Sequence, residues 1–212
     1  MRVAIAGGHG KIALLLERLL ADSGHEPVAL IRNPDQSDDV RSAGAEPVVV
    51  DLENTDVASL AAHLEGADAV VFAAGAGGGS GPERKLSLDR DGAILLADAA
   101  AAAGIRRYVL VSAIGADGFD PRSDDVFQVY LRAKSEADAA IRERDLDWTI
   151  VRPGGLTDDA PTGSVAVGRS IDRDTIPRAD VAAVLFVLLT TDSAAGEQFE
   201  LTRGTVPIAQ AL

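Results

Sequence analysis

The turn between the first strand and the first helix constrains this chain more than any other feature. Val3–Ala6 is a short apolar run that predicts a buried strand, and residues 7–13 read Gly-Gly-His-Gly-Lys-Ile-Ala. Apolar residues then recur with helical spacing from about Lys11 to Ser23, and Gly24 follows as a stop. A buried strand, a glycine turn and an amphipathic helix in this order predict the first unit of an α/β fold with a ligand at the turn.

The glycine spacing indicates what this turn would bind. Gly7 permits a tight turn, Gly10 lets the backbone approach a diphosphate, and the small Ala13 allows close packing of helix and strand. Free N–H groups at the helix N-terminus would then bind the anion. A purely structural turn is the alternative, and the absence of Gly-Lys-Ser/Thr argues against a nucleotide triphosphatase loop. The candidate cofactor-binding residues here are Gly7, His9, Gly10, Lys11 and Ile12, although His9 could equally be a solvated turn residue.

The end of the second strand bears on which dinucleotide is bound. A site specific for NAD usually has Asp or Glu there, whereas this chain has Arg32 followed by Asn33. A guanidinium group suits a 2′-phosphate, so the sequence favours NADP(H) and leaves NAD(H) as the alternative. Asp51 and Leu52 follow the third strand and are expected near the adenine, although Asp51 could instead be a capping or turn carboxylate.

Short apolar runs alternate with helical patterns through the rest of the chain. The further predicted strands are Val28–Ile31, Val48–Val50, Ala69–Phe72, Tyr108–Val111, Trp148–Val151, Val165–Val167 and Gln198–Leu201. The further predicted helices are Asp56–His63, Leu86–Ala103, Asp124–Arg144 and Arg178–Leu189. We therefore expect an α/β fold of one domain, residues 1–212: a Rossmann-like doubly wound parallel sheet with helices on both faces. Residues 152–212 would add a small substrate-side extension, and the glycine-rich segment, residues 75–81, would be mobile.

Composition excludes several classes of function. The 212 residues include no cysteine and only three widely separated histidines, which rules out thiolate chemistry and makes a histidine metal site, and any metal site, unexpected. A formal charge of −13 disfavours binding to nucleic acid or an anionic membrane. The longest strongly apolar stretch, Val181–Leu189, is too short to span a bilayer, and no secretory leader is recognisable, so a cytoplasmic location is expected.

Tyr130 and Lys134 form a Tyr-x-x-x-Lys pair within the predicted helix Asp124–Arg144. Their i, i+4 spacing places both side chains on one helix face. A nearby ammonium group favours phenolate and lowers the pKa of a phenol, and the same lysine could hold a nicotinamide ribose. A solvated surface pair is the alternative. The chain has only three lysines and two tyrosines, however, and Lys11 and Lys134 both fall in candidate motifs.

These motifs, in their order, resemble the short-chain dehydrogenase/reductase superfamily. The resemblance is to its atypical, extended-like branch, the NmrA-like NAD(P)H-binding group often labelled epimerases, and it covers essentially the whole chain. The residues that carry it, besides the glycine turn and the Tyr130–Lys134 pair, are residues 89–93 (Asp-Arg-Asp-Gly-Ala), 109–113 (Val-Leu-Val-Ser-Ala), 149–154 (Thr-Ile-Val-Arg-Pro-Gly) and 178–182 (Arg-Ala-Asp-Val-Ala).

The resemblance also implies roles for individual residues. Tyr130 would be the acid/base, Lys134 its electrostatic partner, and Ser112 would polarise the acceptor, although its hydroxyl could instead satisfy groups at the strand end. The residues implied beside the nicotinamide ribose and carboxamide are Ala73, Ala74, Gly75, Pro153 and Gly154. The chain departs from its relatives at Ala113, where many have a second hydroxyl residue, and at Asp89, which replaces an asparagine. It is also much shorter than typical sugar-nucleotide epimerases.

The sequence thus leads to an expected function with two alternatives. We expect an NADPH-dependent oxidoreductase that acts on a small carbonyl, quinone-like or flavin-like acceptor. The alternatives are an NAD(P)-dependent epimerase or dehydratase, and a non-enzymatic NADP(H) sensor of NmrA type. The expected partner is a small-molecule substrate, with a homodimer left open. Phe119 and Leu156 lie in loops that would line the substrate pocket, while Arg152 is expected to structure its turn.

Overall fold

Strands and helices alternate along most of the chain in this computed structural model, which describes residues 1–191 and 193–212. The strands in these ranges are β1 (Arg2–Ala6), β2 (Glu26–Ile31), β3 (Glu46–Val49), β4 (Ala69–Phe72), β5 (Arg107–Val111), β6 (Asp147–Pro153), β7 (Gly155–Thr157), β8 (Ser164–Gly168), β9 (Thr175–Pro177), β10 (Glu197–Arg203) and β11 (Val206–Pro207). The α-helices are α1 (Lys11–Asp22), α2 (Ser37–Ser42), α3 (Val57–His63), α4 (Pro82–Arg84), α5 (Ala93–Ala102), α6 (Val126–Arg142), α7 (Arg178–Thr190) and α8 (Ile208–Ala211).

Nine of the strands form one sheet in the order β11-β8-β10-β6-β5-β4-β1-β2-β3. The β3-β2-β1-β4-β5-β6 part is parallel throughout and has the strand order of a doubly wound nucleotide-binding fold. β10 adds a further parallel strand beside β6, β8 pairs antiparallel with β10, and β11 pairs antiparallel with β8. The predicted Rossmann-like α/β fold is therefore confirmed, with a sheet that is mostly parallel.

Each face of the sheet is covered by its own helices because successive side chains of a strand point in opposite directions. Val3 and Ile5 of β1 pack in one core cluster with residues of α1 and α7. Ala4 and Ala6 pack in a second cluster with residues of α3, α5 and α6. Both faces being buried, the central strands are apolar at nearly every position, which is why the sequence revealed them.

The predicted helix Leu86–Ala103 differs from the observed structure. The chain forms α4, then a π-helical segment over Lys85–Gly92 (called here the π segment), and only then α5. A π-helical turn holds an extra residue, and here it buries two charged side chains, those of Lys85 and Asp89. The spacing of apolar residues in the sequence does not distinguish a π-helical segment from an α-helix.

The carboxyl end of β6 leads into elements that the sequence did not predict. β7 and β9 form a separate two-stranded parallel sheet directly beyond β6. These strands have three residues each, too few for a periodic pattern. Within the described ranges, no helix has both the length and the apolarity needed to cross a membrane.

Candidate active site

The glycine turn after β1 lies tightly against two neighbouring strands. Gly7 has φ +79°, and a Cβ atom added there would lie 2.5 Å from Ala74 Cα. A Cβ atom on Gly8 would lie 2.5 Å from the Cβ atom of Ala29, so this position also needs glycine, which sequence reasoning missed. Gly10 is the N-cap of α1 and no side chain caps that helix. The first-turn amides of α1 are thus left for an anion, and the turn fits a dinucleotide diphosphate.

A cleft of about 410 Å³ opens at this turn, along the carboxyl ends of β1, β2 and β4. It brings together most of the predicted cofactor-binding residues, namely Gly7, His9, Gly10, Arg32, Asp51, Leu52, Ala73, Ala74 and Gly75. The predicted residues that do not line it are Lys11, Ile12, Tyr130, Lys134, Pro153 and Gly154. Ile12 points into the core beneath α1 instead.

One end of the cleft holds a cluster of charges around Glu53, which the sequence did not single out. Its carboxylate accepts hydrogen bonds from Arg84 Nε at 3.0 Å and Ser87 Oγ at 2.7 Å. Arg32 Nη1 lies 3.4 Å from the same carboxylate, and 55% of the Arg32 side chain stays exposed. Asn33 and Arg84 also line this end. Arg32 alone had a sequence signal, because Arg84 and Ser87 come close to Glu53 only through the folding of the chain.

Asp51 adopts the turn geometry that was one of its two expected roles. Its carboxylate accepts hydrogen bonds from the Glu53 amide at 3.0 Å and from Asn54 Nδ2 at 2.8 Å. Burial raises the pKa of this carboxyl, but these hydrogen bonds and the charges of Arg32 and Arg84 outweigh it, so the pKa of Asp51 is lowered. Asp51 still lines the cleft, which keeps it available to an adenine.

Asp89 joins the other end of the cleft to Lys134. A Cβ atom on Gly75 would lie 3.3 Å from Asp89 Oδ1, and Asp89 Oδ2 accepts a hydrogen bond from the amide of Ala76 at 3.1 Å. Lys134 Nζ lies 3.3 Å from Asp89 Oδ1 and donates to the carbonyl of Val111 at 3.1 Å. Burial opposes the charge of Lys134, but Asp89 and Tyr130 together outweigh it and raise the pKa of the lysine. Lys134 is thus a fixed ammonium group at the cleft's edge.

Tyr130 lies beside that ammonium group. Lys134 Nζ is 5.8 Å from the centroid of the Tyr130 ring, and the phenol has no hydrogen-bond partner among residues 1–191 and 193–212. Burial raises the pKa of Tyr130, with Asp89 and Asp138 adding to that effect and Lys134 opposing it. The net direction differs from the lowering that the sequence alone suggested, because the spacing shows the lysine but not the burial or the two carboxylates.

Ser112 belongs to a buried network below this pair. Its Oγ donates to Asp138 Oδ2 at 2.8 Å, and Arg152 Nη2 lies 2.7 Å from the same oxygen. Arg152 also binds Asp117, whose pKa it lowers, while burial raises the pKa of Asp138. Of the two roles open for Ser112, this geometry favours satisfying buried polar groups. Arg152 has the structural role expected of it.

His9 and Lys11, two of the predicted cofactor-binding residues, each pair with an acidic side chain. His9 Nε2 lies 2.8 Å from Asp39, and Lys11 forms an ion pair with Asp158, which also pairs with Arg178. The hydrogen bond from Lys11 leads the contacts that lower the pKa of Asp158. Asp158 therefore ties the start of α1 to the start of α7 across the loop that follows β7.

The remaining predicted residues lie where β6 ends and in the segments that follow β5 and β6. Pro153 and Gly154 are buried where β6 ends, and the Gly154 amide donates to the carbonyl of Leu201. Leu156 was expected in a loop, but it lies in β7 opposite Ile176 and is exposed, whereas Phe119 is half-buried in its loop. Phe127, another exposed apolar side chain, has its ring 6.1 Å from that of Tyr130. Across the described part of the chain, no three acidic or histidine side chains cluster as metal ligands would.

Comparison with known proteins agrees with this geometry. YhfK of Bacillus subtilis (strain 168), described as an uncharacterized sugar epimerase, is 37% identical over 213 residues, covering 100% of this chain and 99% of YhfK. A solved Bacillus halodurans protein, described as a candidate NAD-dependent epimerase/dehydratase, matches with a TM-score of 0.90 and 37% identity, over 99% of this chain and 97% of the other. The oxidoreductase ylbE from Lactococcus lactis matches with a TM-score of 0.88 and 27% identity, over 100% and 94%. A family model described as NAD(P)H-binding matches residues 7–192, which confirms the resemblance seen in the motifs. The chain belongs to the NAD(P)H-binding family.

Proposed function

We propose that this protein is an NADP(H)-dependent reductase of a small carbonyl, quinone-like or flavin-like acceptor. The observation that carries the proposal is the unbroken set of contacts from the cleft to Tyr130. Gly75 lines the cleft and approaches Asp89, Asp89 pairs with Lys134, and Lys134 lies beside the Tyr130 ring. A proton donor is thereby held at the end of a cleft that fits a dinucleotide.

In this proposal each part of the cofactor has its own protein groups. The amides after Gly10 hold the diphosphate, Asp51 and Leu52 lie near the adenine, and Lys134 holds the nicotinamide ribose. The backbone at the nicotinamide end comes from Ala73, Ala74, Gly75, Pro153 and Gly154. When bound, the nicotinamide supplies the hydride of the reaction.

The preference for NADP(H) rests on Arg32. Its guanidinium group is more than half exposed and reaches Glu53 over 3.4 Å, so it can turn toward a 2′-phosphate at small cost. No acidic residue occupies the position after β2, where a carboxylate would bind an unphosphorylated ribose.

Tyr130 is the proton donor of the proposed reduction, because burial raises the pKa of its phenol and keeps the phenol protonated at neutral pH. Tyr130 would give this proton to the reacting oxygen or nitrogen of the acceptor, while the bound nicotinamide would supply the hydride. The ammonium group of Lys134 stabilises the resulting phenolate, which recovers a proton from solvent. In this proposal the hydrogen bond between Ser112 and Asp138 stabilises the buried part of the site, and Ser112 does not bind the acceptor.

Epimerase chemistry is the second candidate, favoured by the name of YhfK. The same tyrosine would then act first as a base, and the cofactor would be regenerated in each cycle. A raised pKa makes Tyr130 less suited to that first step at neutral pH.

The test combines cofactor binding with turnover. We expect calorimetry to detect NADPH binding, and NADPH absorbance to fall when aldehydes, quinones or free flavins are supplied. Tyr130→Phe should lower kcat by about 100-fold or more while the dissociation constant for NADPH stays within about threefold. Turnover retained by this variant would contradict the assignment. Epimerisation of a sugar without net NADPH consumption would favour the second candidate.

A further inference from the structure

Lys85 is a buried lysine that the proposed chemistry does not use. Only 6% of the residue is exposed, although lysines are almost never fully buried without partners. Its Nζ donates to the carbonyl of Gly77 at 2.7 Å and lies 5.4 Å from the centroid of the Tyr130 ring. One ammonium group therefore contacts both the glycine-rich segment and the candidate proton donor.

The glycine-rich segment has few other contacts that fix its position. Side chains added at Gly77, Gly78 or Gly79 would meet no atom within 4 Å, so no tight packing holds this part of the chain. What holds it are two residues of the π segment. Lys85 binds the Gly77 carbonyl, and Asp89 binds the amide of Ala76.

The same two residues face the Tyr130–Lys134 pair. Lys85 and Lys134 lie 5.4 Å and 5.8 Å from the Tyr130 ring centroid, and Asp89 pairs with Lys134. Lys85 and Asp89 thus each bind one backbone group of the glycine-rich segment and each lie against one member of the pair. Lys85 and Asp89 are both buried and lie four residues apart in the π segment.

We propose that Lys85 is a positioning residue that couples the glycine-rich segment to Tyr130. The inference rests on the proposed function, in which residues 73–75 run beside the nicotinamide ribose. The glycine-rich segment follows residues 73–75 directly in the chain. Lys85 therefore holds the Tyr130 phenol in its orientation only when residues 73–75 are in their position beside the nicotinamide. The loss of Lys85 should free both the segment and the tyrosine.

The first readout is the ionisation of Tyr130. The groups that face its ring are Lys134 on α6, Lys85 and Asp89 on the π segment, and Asp138 one turn beyond Lys134. Incorporation of 3-fluorotyrosine, whose phenol is more acidic than that of tyrosine, gives one ¹⁹F resonance each for Tyr108 and Tyr130, assigned with the Tyr108→Phe variant. Lys85→Met should move the Tyr130 midpoint upward by about one pH unit, since a cation near the ring is removed. Lys85→Arg should restore the wild-type midpoint.

The second readout is backbone hydrogen exchange in residues 76–81. Exchange should quicken in Lys85→Met and stay at the wild-type rate in Lys85→Arg, with thermal unfolding used to show that both variants fold. Arg122→Met is the matched control, because the Arg122 side chain is 90% exposed and pairs with Asp120. This variant should change neither the Tyr130 midpoint nor the exchange rate. A change in only one readout, or in neither, overturns the proposal.

The two readouts use the protein without cofactor or acceptor. Failure of the wild type to bind NADPH would overturn the proposed function while leaving the Lys85 measurements intact. With an acceptor, Lys85→Met should lower kcat by about tenfold and leave the NADPH dissociation constant within about threefold. An unchanged kcat would overturn the coupling even where the proposed function holds.

Discussion

Ser112 donates a hydrogen bond to Asp138 over 2.8 Å, and both residues are buried. Asp138 Oδ1 has no hydrogen-bond partner in the described structure, so Oδ2 receives all of the donors from Ser112 and Arg152. The serine hydroxyl has one proton to donate, and that proton is committed to the carboxylate. The residue that the family resemblance assigns to the acceptor is thus tied to the interior.

Replacement of Ser112 by alanine should therefore reduce stability more than chemistry. Removing one donor from a buried carboxylate costs about 1–3 kcal/mol, which urea unfolding would measure. We expect kcat of Ser112→Ala to fall much less than that of Tyr130→Phe. Ser170→Ala, at an exposed site, is the control for the stability change. A kcat loss as large as that of Tyr130→Phe, without loss of stability, would return Ser112 to the acceptor.

Arg32→Glu should separate the two cofactors. The substitution places a carboxylate where we expect the 2′-phosphate, and repulsion should weaken NADPH binding by at least about tenfold. NADH lacks that phosphate and should lose little. Arg41→Glu is the matched control, since Arg41 is an exposed arginine outside the cleft. Calorimetry with both cofactors measures the ratio, and equal losses would remove the preference for NADP(H).

Gly8→Ala should damage the cofactor site through packing alone. The added methyl group would lie 2.5 Å from Ala29 Cβ and 2.8 Å from Ala29 Cα, so the turn must move away from β2. We expect a stability loss of about 1–3 kcal/mol, together with weaker NADPH binding. Gly79→Ala supplies the comparison, because a methyl group there meets nothing within 4 Å and φ is not positive. Equal behaviour of the two variants in thermal melts and calorimetry would contradict this account.

The sequence predicted the parts of this molecule that depend on local spacing. The apolar strands, the glycine turn and the Tyr130–Lys134 pair each follow from residues close together in the chain, and they led to the correct fold and cleft. The groups around Tyr130 could not be predicted in this way, because Lys85 and Asp89 belong to a distant part of the chain and approach the Tyr130–Lys134 pair only in the folded structure. Burial of the phenol itself, with the charges of Asp89 and Asp138, reverses the expected direction of the Tyr130 pKa.

Glu17 is a core residue that the spacing of apolar residues also failed to predict. The apolar spacing predicts one buried face of α1 made of Ile12, Leu15, Leu16, Leu19 and Leu20. Ile12, Leu16 and Leu20 are buried as predicted, but Leu19 is 37% exposed while Glu17 is 0% exposed. The buried face of α1, which packs against α7, also includes Ala13 and Glu17, one helical turn apart. Acidic side chains are almost never fully buried without a partner, so apolar spacing does not predict Glu17 on the buried face of α1.

This buried carboxyl should make stability depend on pH. Both Glu17 oxygens lack hydrogen-bond partners in the described structure, and burial raises the pKa of Glu17 to about 8. Below the unfolded pKa of 4.5 both states are protonated, so Glu17 costs nothing through ionisation. Between pH 4.5 and 8 the unfolded chain releases the proton and the folded chain keeps it, so the free energy of unfolding falls by about 4–5 kcal/mol. Above pH 8 the loss is complete.

Glu17→Gln should remove that dependence. The amide stays neutral at every pH, so the variant should gain stability relative to the wild type as the pH rises from 5 to 8. Urea unfolding at pH 5, 6.5 and 8 measures the difference, with Glu65→Gln at an exposed site as the control. Glu17→Leu, which also removes the unpaired polar atoms, should be more stable than the wild type at pH 8. Parallel unfolding free energies for Glu17→Gln and the wild type across this range would mean that the carboxyl is ionised, and therefore solvated, in the folded protein.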